Sequence, residues 1–115
     1  MSDAYKPTTI HTEIVKQVSR KMIDEKIINE LGEFFKIFGD PTRLKILNCL
    51  LYSRLCVSDI ANLLEMTHSA ISHQLAYLKE FKMVRSSKLG KVVYYELNDE
   101  NIRKIFALGL EHVRD

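Results

Sequence analysis

Apolar residues recur at helical spacing almost from the start of the chain. Between Thr12 and about Ile28, the residues Ile14, Val15, Val18, Met22, Ile27 and Ile28 punctuate a run of Lys, Glu and Gln, which predicts a first helix. Leu31–Phe38 continues apolar until Gly39, where a helix should stop. Asp40-Pro41 then supplies an N-cap and a proline at the first helical position, so a new helix is expected to about Tyr52, with Leu44, Ile46, Leu47, Leu50 and Leu51 on it. A short third helix should open at Ser58 (SDIANLLE). After Met66-Thr67, a fourth is expected from about His68 to Phe81, with Ile71, Leu75 and Leu78 at i, i+4 and i+7. The pattern then changes: over residues 83–97, β-branched and aromatic residues flank Lys88-Leu89-Gly90-Lys91, which predicts a β-hairpin. A terminal amphipathic helix follows, capped by Asn98 or Asp99, with Ile102, Ile105, Phe106, Leu110 and Val113 on its apolar side.

These elements amount to a mainly helical α+β fold, with one domain expected over residues 12–115. Residues 1–11 are polar, contain Pro7 and lack periodicity, so they read as a flexible arm. A length of 115 residues with 46% apolar and 28% charged side chains fits a single globular domain, short enough to gain from a partner's surface. The net charge of +2 says little until the charges are located. Residues 68–94 carry Lys79, Lys82, Arg85, Lys88 and Lys91 against Glu80 alone, while the segments on either side are neutral or acidic. Such a local excess suits a surface that faces phosphates, although solvated basic faces are common. Two cysteines, Cys49 and Cys56, are too few for a disulfide framework and fit a reducing cytoplasm. The N-terminal residues lack the pattern of a signal peptide, and no apolar run is long enough to span a bilayer, so no membrane association is expected.

Two helices joined by a short turn make the third and fourth helices a helix-turn-helix candidate. With Ile71, Leu75 and Leu78 packed inward, His68, Ser69, Ser72, His73, Ala76 and Lys79 are left towards solvent. Short hydroxyls and an imidazole let a helix approach the floor of the major groove and still offer donors and acceptors, and Gln74 beside them can pair bidentately with adenine. Thr67 and Ser69, near the helix N-terminus, suit a phosphate. The hairpin that follows presents Lys88 and Lys91 at its tip, Arg85 on its first strand and Tyr94 on its second, a wing fit to straddle backbone phosphates.

The run FGDPTRLKILNCL, then LCVSDIANLL, then HSAISHQLAYLKEFKMVRSSKLGKVVYYEL resembles the arsenic-repressor (ArsR/SmtB) family over roughly residues 30–115. SAISHQLAYLK is similar to that family's recognition helix and the block after it to its wing. The resemblance implies a homodimeric winged helix-turn-helix repressor with a two-stranded β wing. Such a protein leaves its operator DNA when a metal ion, metalloid or oxidant is sensed. Dimerisation is expected through the first and last helices, whose apolar content exceeds what one short chain needs to cover itself.

The resemblance also says where an inducer would bind. The thiolate type of site needs two cysteines at the start of the third helix, where this chain reads RLCVSD, with Cys56 alone beside Ser58, so a thiolate-rich site is not expected. A second type lies on the terminal helices, and its pattern falls here on Asp99, Asn101, His112 and Asp115, with asparagine in place of the second ligand. Asp99 and His112 are about 20 Å apart along one helix, but two antiparallel copies of the helix crossing at a two-fold axis would bring 99 near 115 and 101 near 112. Asp99, His112 and Asp115 form a mixed oxygen and nitrogen set suited to zinc, less well to cobalt or nickel, as inducer, with no cofactor needed for folding. Against that, Asp99 is also explained as a helix cap, and His11 in the arm is a lone histidine.

Three other readings stand beside this one. The same repressor could sense oxidation through Cys56 or Cys49, or act without a metal. A metal-binding or protein-interaction module could keep the fold without operator binding. Catalysis is not expected: His68, Ser69, Ser72 and His73 lack a carboxylate to orient them and an oxyanion loop, and no glycine-rich phosphate motif is present.

Overall fold

The computed structural model describes residues 10–115, so the arm expected over 1–11 lies, apart from Ile10 and His11, outside the described residues. The chain separates into two compact units, one ending at Glu33 and the other running from Phe34 to Asp115.

The first unit holds α1 (Thr12–Lys21) and the beginning of α2 (Glu25–Phe38). The single helix expected from Thr12 to Ile28 is therefore two. Met22 turns into extended backbone with ψ 137°, and the Asp24 carboxylate accepts the Ile27 N–H at 3.0 Å. A new helix start leaves backbone N–H groups without partners, and a short side-chain oxygen placed there satisfies one of them. The apolar spacing runs on across the break, which is why periodicity alone hides it. No side chain of α1 is buried, and Ile14, Val15, Val18, Ile27 and Ile28 all remain exposed.

The second unit continues with α3 (Pro41–Leu50), β1 (Leu55–Cys56), α4 (Val57–Leu64), α5 (His68–Glu80), β2 (Val84–Leu89), β3 (Val92–Leu97) and α6 (Glu100–Arg114). Asp40 opens α3 as expected: its side chain accepts the Arg43 N–H at 3.0 Å and Pro41 follows it. The cap of α4 is Cys56 rather than Ser58, two residues earlier than the sequence suggests. Asp59 at the third helical position reaches back to accept the Cys56 N–H at 3.4 Å, so the acidic residue fixes the start.

Glu65 closes α4 in the left-handed region with φ 55°, and the Met66 N–H returns to the Ala61 carbonyl at 3.0 Å. Thr67 then caps α5, which leaves a turn of only three residues between the helices. Lys82 repeats the device after α5 with φ 59°, its neighbour Met83 donating to the Leu78 carbonyl at 2.8 Å.

Ile46 and Leu47 of α3, Ile60 of α4 and Ile71, Leu75 and Leu78 of α5 are fully buried together. Each such side chain contributes about 1.5–3 kcal/mol of burial free energy. Val84 and Leu97 pair at the base of the hairpin and join this core, as does Ile102 of α6. The hairpin is closed by the two residues Gly90-Lys91, Gly90 at φ 64° where a Cβ would be strained. The wing is the expected two-stranded hairpin, and β1 joins it as a third strand of the sheet, pairing antiparallel with β3 through Leu55↔Tyr95 and Cys56↔Tyr94 in the order β1-β3-β2. Asp99 caps α6, its Oδ1 accepting from Asn101 and Ile102. Near the start of that helix the Arg103 guanidinium donates to the Leu51 carbonyl, just past the end of α3. Among the described residues no helix is long and apolar enough to cross a membrane.

Candidate nucleic-acid interface

The inward side of α5 is the one expected: Ile71, Leu75 and Leu78 have no exposed surface. That orientation turns Ser69, Ser72, His73, Ala76 and Lys79 outward, and all are exposed. Two of the expected contact residues also have local work within the fold. The Thr67 hydroxyl accepts the Ala70 N–H at 3.0 Å, which leaves its own proton free to donate. His68 Nε2 lies 3.4 Å from the Ser58 hydroxyl and so ties the start of α5 to the start of α4.

Gln74 lies beside that face, as expected, but its amide has a partner in α3. It sits about 100° round the helix from His73, half-buried against α3. There Arg43 Nε donates to its Oε1 at 3.3 Å, and the same guanidinium lies 3.9 Å from the centroid of the Tyr77 ring. Arg43 takes one of the two lone pairs of that oxygen and turns it towards α3, so the direction of the amide is set by α3 before any DNA is met. Sequence reasoning missed Arg43 because its partner is 31 residues away.

The wing also divides its residues. Strand alternation puts Val84, Ser86 and Lys88 on one face and Arg85 and Ser87 on the other. Arg85 is braced within the sheet: Nε meets Glu96 Oε2 at 3.1 Å and Nη1 donates to the Asn98 carbonyl at 3.2 Å. Tyr94 stands opposite Ser87 and Cys56, with the Arg54 guanidinium 5.2 Å above its ring. Lys88 and Lys91 at the tip are exposed. The wing's open cations are therefore the two tip lysines, with Arg54 added from outside the hairpin.

The four positions considered for a metal lie at opposite ends of α6. Asp99 and Asn101 are at its start, His112 is in its last turn and Asp115 closes it. Within one chain, among the described residues, no three His, Cys, Asp or Glu side chains are grouped to hold a metal ion. Cys49 and Cys56 are both free and half-buried. Burial pushes the Cys49 thiol above its ordinary value of 9.0, partly offset by a backbone hydrogen bond.

Residues 40–86, from the cap of α3 into β2, match the profile of the bacterial regulatory proteins of the arsR family. Over 106 residues, 92% of this chain and 80% of the other, the chain is 31% identical to a transcriptional repressor SmtB homolog of Synechocystis sp.. It belongs to the arsR family.

A second arsR-type relative, the cadmium resistance transcriptional regulatory protein CadC of Listeria innocua, is 38% identical over 104 residues, covering 90% of this chain and 87% of its own. In three dimensions the chain resembles the antimony-specific transcriptional repressor AntR, with TM-score 0.74, 29% identity and coverage of 82% and 86%. It also resembles a homodimeric winged helix-turn-helix DNA-binding domain from Mycobacterium bovis, with TM-score 0.73, 25% identity and coverage of 82% and 89%. As an arsR-family protein the chain is a transcriptional regulator and not an enzyme. The matched segment contains α4, the three-residue turn and α5. The tip lysines, Tyr94 and all four α6 positions lie beyond it.

Proposed function

We propose that this protein is a repressor that binds operator DNA as a homodimer and releases it when a metal ion, zinc by its donor chemistry, bridges two copies of α6. The observation that carries the reading is the outward face of α5. It is a compact polar surface of serines and His73, held by a fully buried apolar side and set three residues after α4. A helix presented in this way fits the major groove, with Thr67, His68, Ser69, Ser72, His73 and Lys79 at or near the bases and phosphates. Lys88 and Lys91 supply phosphate contacts from the wing, with Tyr94 and the braced Arg85 as its outer face.

The dimer is proposed to form through α1 and α6. Apolar side chains on both stay exposed in the single chain, Val18 at 51%, Leu108 at 65% and Val113 at 81%, and a second copy would cover them. On this reading residues 12–115 work as one functional domain within each protomer, in a reducing cytoplasm that suits free thiols.

The donor set favours a mixed site over a thiolate one. Asp99 Oδ1 already accepts two backbone N–H groups, which leaves Oδ2 for an ion, since a carboxylate accepts at both oxygens. His112 and Asp115 are an i, i+3 pair on one helix side, and Asn101 adds at most a carbonyl oxygen. Two half-buried free thiols offer less to a soft metal than a cluster of three or more would. Zinc bound between two α6 helices would favour a dimer geometry in which the recognition helices no longer match successive turns of DNA. Coupling of this kind is commonly about 1–3 kcal/mol. The test is operator binding by the purified protein at fixed salt, with and without zinc. Zinc should weaken binding about 5–150-fold, and His112→Ala should abolish that response while leaving binding without zinc intact. Binding indifferent to zinc would remove the metal part of the reading and leave the DNA part standing.

A further inference from the structure

Gln74 is held by a residue that limits what it can say to a base. Arg43, in the first turn of α3, reaches across to α5 with its guanidinium stacked 3.9 Å from the Tyr77 ring centroid, and its Nε is 3.3 Å from Gln74 Oε1. Tyr77 is fixed in turn by Phe81, ring centroids 4.7 Å apart. The backbone beneath Arg43 is set by the Asp40 cap. A guanidinium has only donors, so the side of the amide that faces it must be the oxygen. The amide is planar and its two arms diverge, so with the oxygen turned to Arg43 the –NH2 is the arm left without that partner.

We propose that Arg43 is a positioning residue that fixes the hydrogen-bond polarity of Gln74, so that Gln74 presents only donors to DNA and selects a base edge made of acceptors. In the major groove guanine offers N7 and O6 with no donor beside them, and thymine offers O4. Adenine sets its N6 donor next to N7 and needs the oxygen that Arg43 holds. The proposal rests on the reading of α5 as the recognition helix and names the base chemistry one of its positions would take.

The experiment is selection of duplexes from a randomised operator library by the full-length protein, with affinities then measured at constant salt for each base at the position whose preference Gln74→Ala removes. The native protein should favour guanine or thymine over adenine there by about tenfold, the lower part of the usual range for a good base contact. Arg43→Met keeps an unbranched stem over Tyr77 but frees the amide, and should move the preference towards adenine. In a Gln74→Ala background it should change nothing at that position. Gln74→Glu keeps the tie to Arg43 while replacing the outward donor with an acceptor, and should move the preference to cytosine, whose N4 donates. This variant tests the idea even where Arg43→Met folds poorly. A uniform loss of affinity in Arg43→Met with the ranking of bases unchanged, or a native preference for adenine, would overturn the proposal and leave operator binding intact. A protein with no sequence preference at any position would overturn both.

Discussion

On the proposed reading His73 and Lys88 would meet DNA with different chemistry, so substituting them should have different signatures. His73 stands in the middle of the outward face of α5. Replacing it with Ala should cost about 1–3 kcal/mol on the operator and much less on unrelated DNA. Lys88, at the exposed wing tip, contributes a charge that carries no sequence information. Lys88→Ala should weaken binding to all duplexes alike and reduce the slope of log affinity against log salt by about one. A salt titration of both variants on specific and random duplexes separates the two effects, and identical behaviour would count against the assigned face. Cys49 is read at the same scale. Because burial raises its pKa above 9.0, the folded protein keeps a proton that the unfolded chain gives up. The stability it contributes is whole below that value and is lost as pH climbs through the higher folded one. Thermal unfolding of the native protein and of Cys49→Ala at pH 8 and pH 10 should show a steeper decline for the native protein. At pH 8 an alkylating reagent should reach Cys56 before Cys49.

Each element is specified by how much of its cause lies within itself. α5 was legible because its cap, its apolar period and its length all lie within fourteen residues from Thr67 to Glu80. The hairpin was legible for a similar reason, since Gly90 and the change of period mark it locally. The break at Met22–Asp24 was not, because apolar residues continue in phase across it and only Asp24 signals the new start. β1 was invisible for a different reason. Two residues carry no period, and they become a strand only because β3 arrives to pair with them. The exposed face of α5 could be read from the sequence, but the tie between Gln74 and Arg43 could not, since a helix pattern predicts which side is buried and not which side chain across the interface will claim an amide. The packing itself is testable at this scale. Leu75 is fully buried among α3, α4 and α5 side chains, so Leu75→Ala should cost about 2–5 kcal/mol in denaturant unfolding. Ala76→Ser, on the exposed face of the same helix, should stay within about 0.5 kcal/mol.

For the molecule as a whole, the exposed apolar side chains of α1 and α6 are the feature that a single chain leaves unexplained. Val113 at 81% exposure is the most open of those on α6. Val113→Glu should shift the protein from dimer towards monomer in sedimentation at micromolar concentration and weaken operator binding in parallel. An unchanged dimer would place the interface elsewhere. The link between Arg103 and the Leu51 carbonyl has a consequence of its own. It grips α3 where that helix ends, while Arg43 near its beginning grips α5. α3 is thus a beam clamped at both ends, one clamp on the helix proposed to bind the effector and the other on the helix proposed to touch DNA. A beam held this way hands on a displacement that a free loop would absorb. Loosening the first clamp with Arg103→Ala should leave both binding events intact and lower only their ability to feel each other.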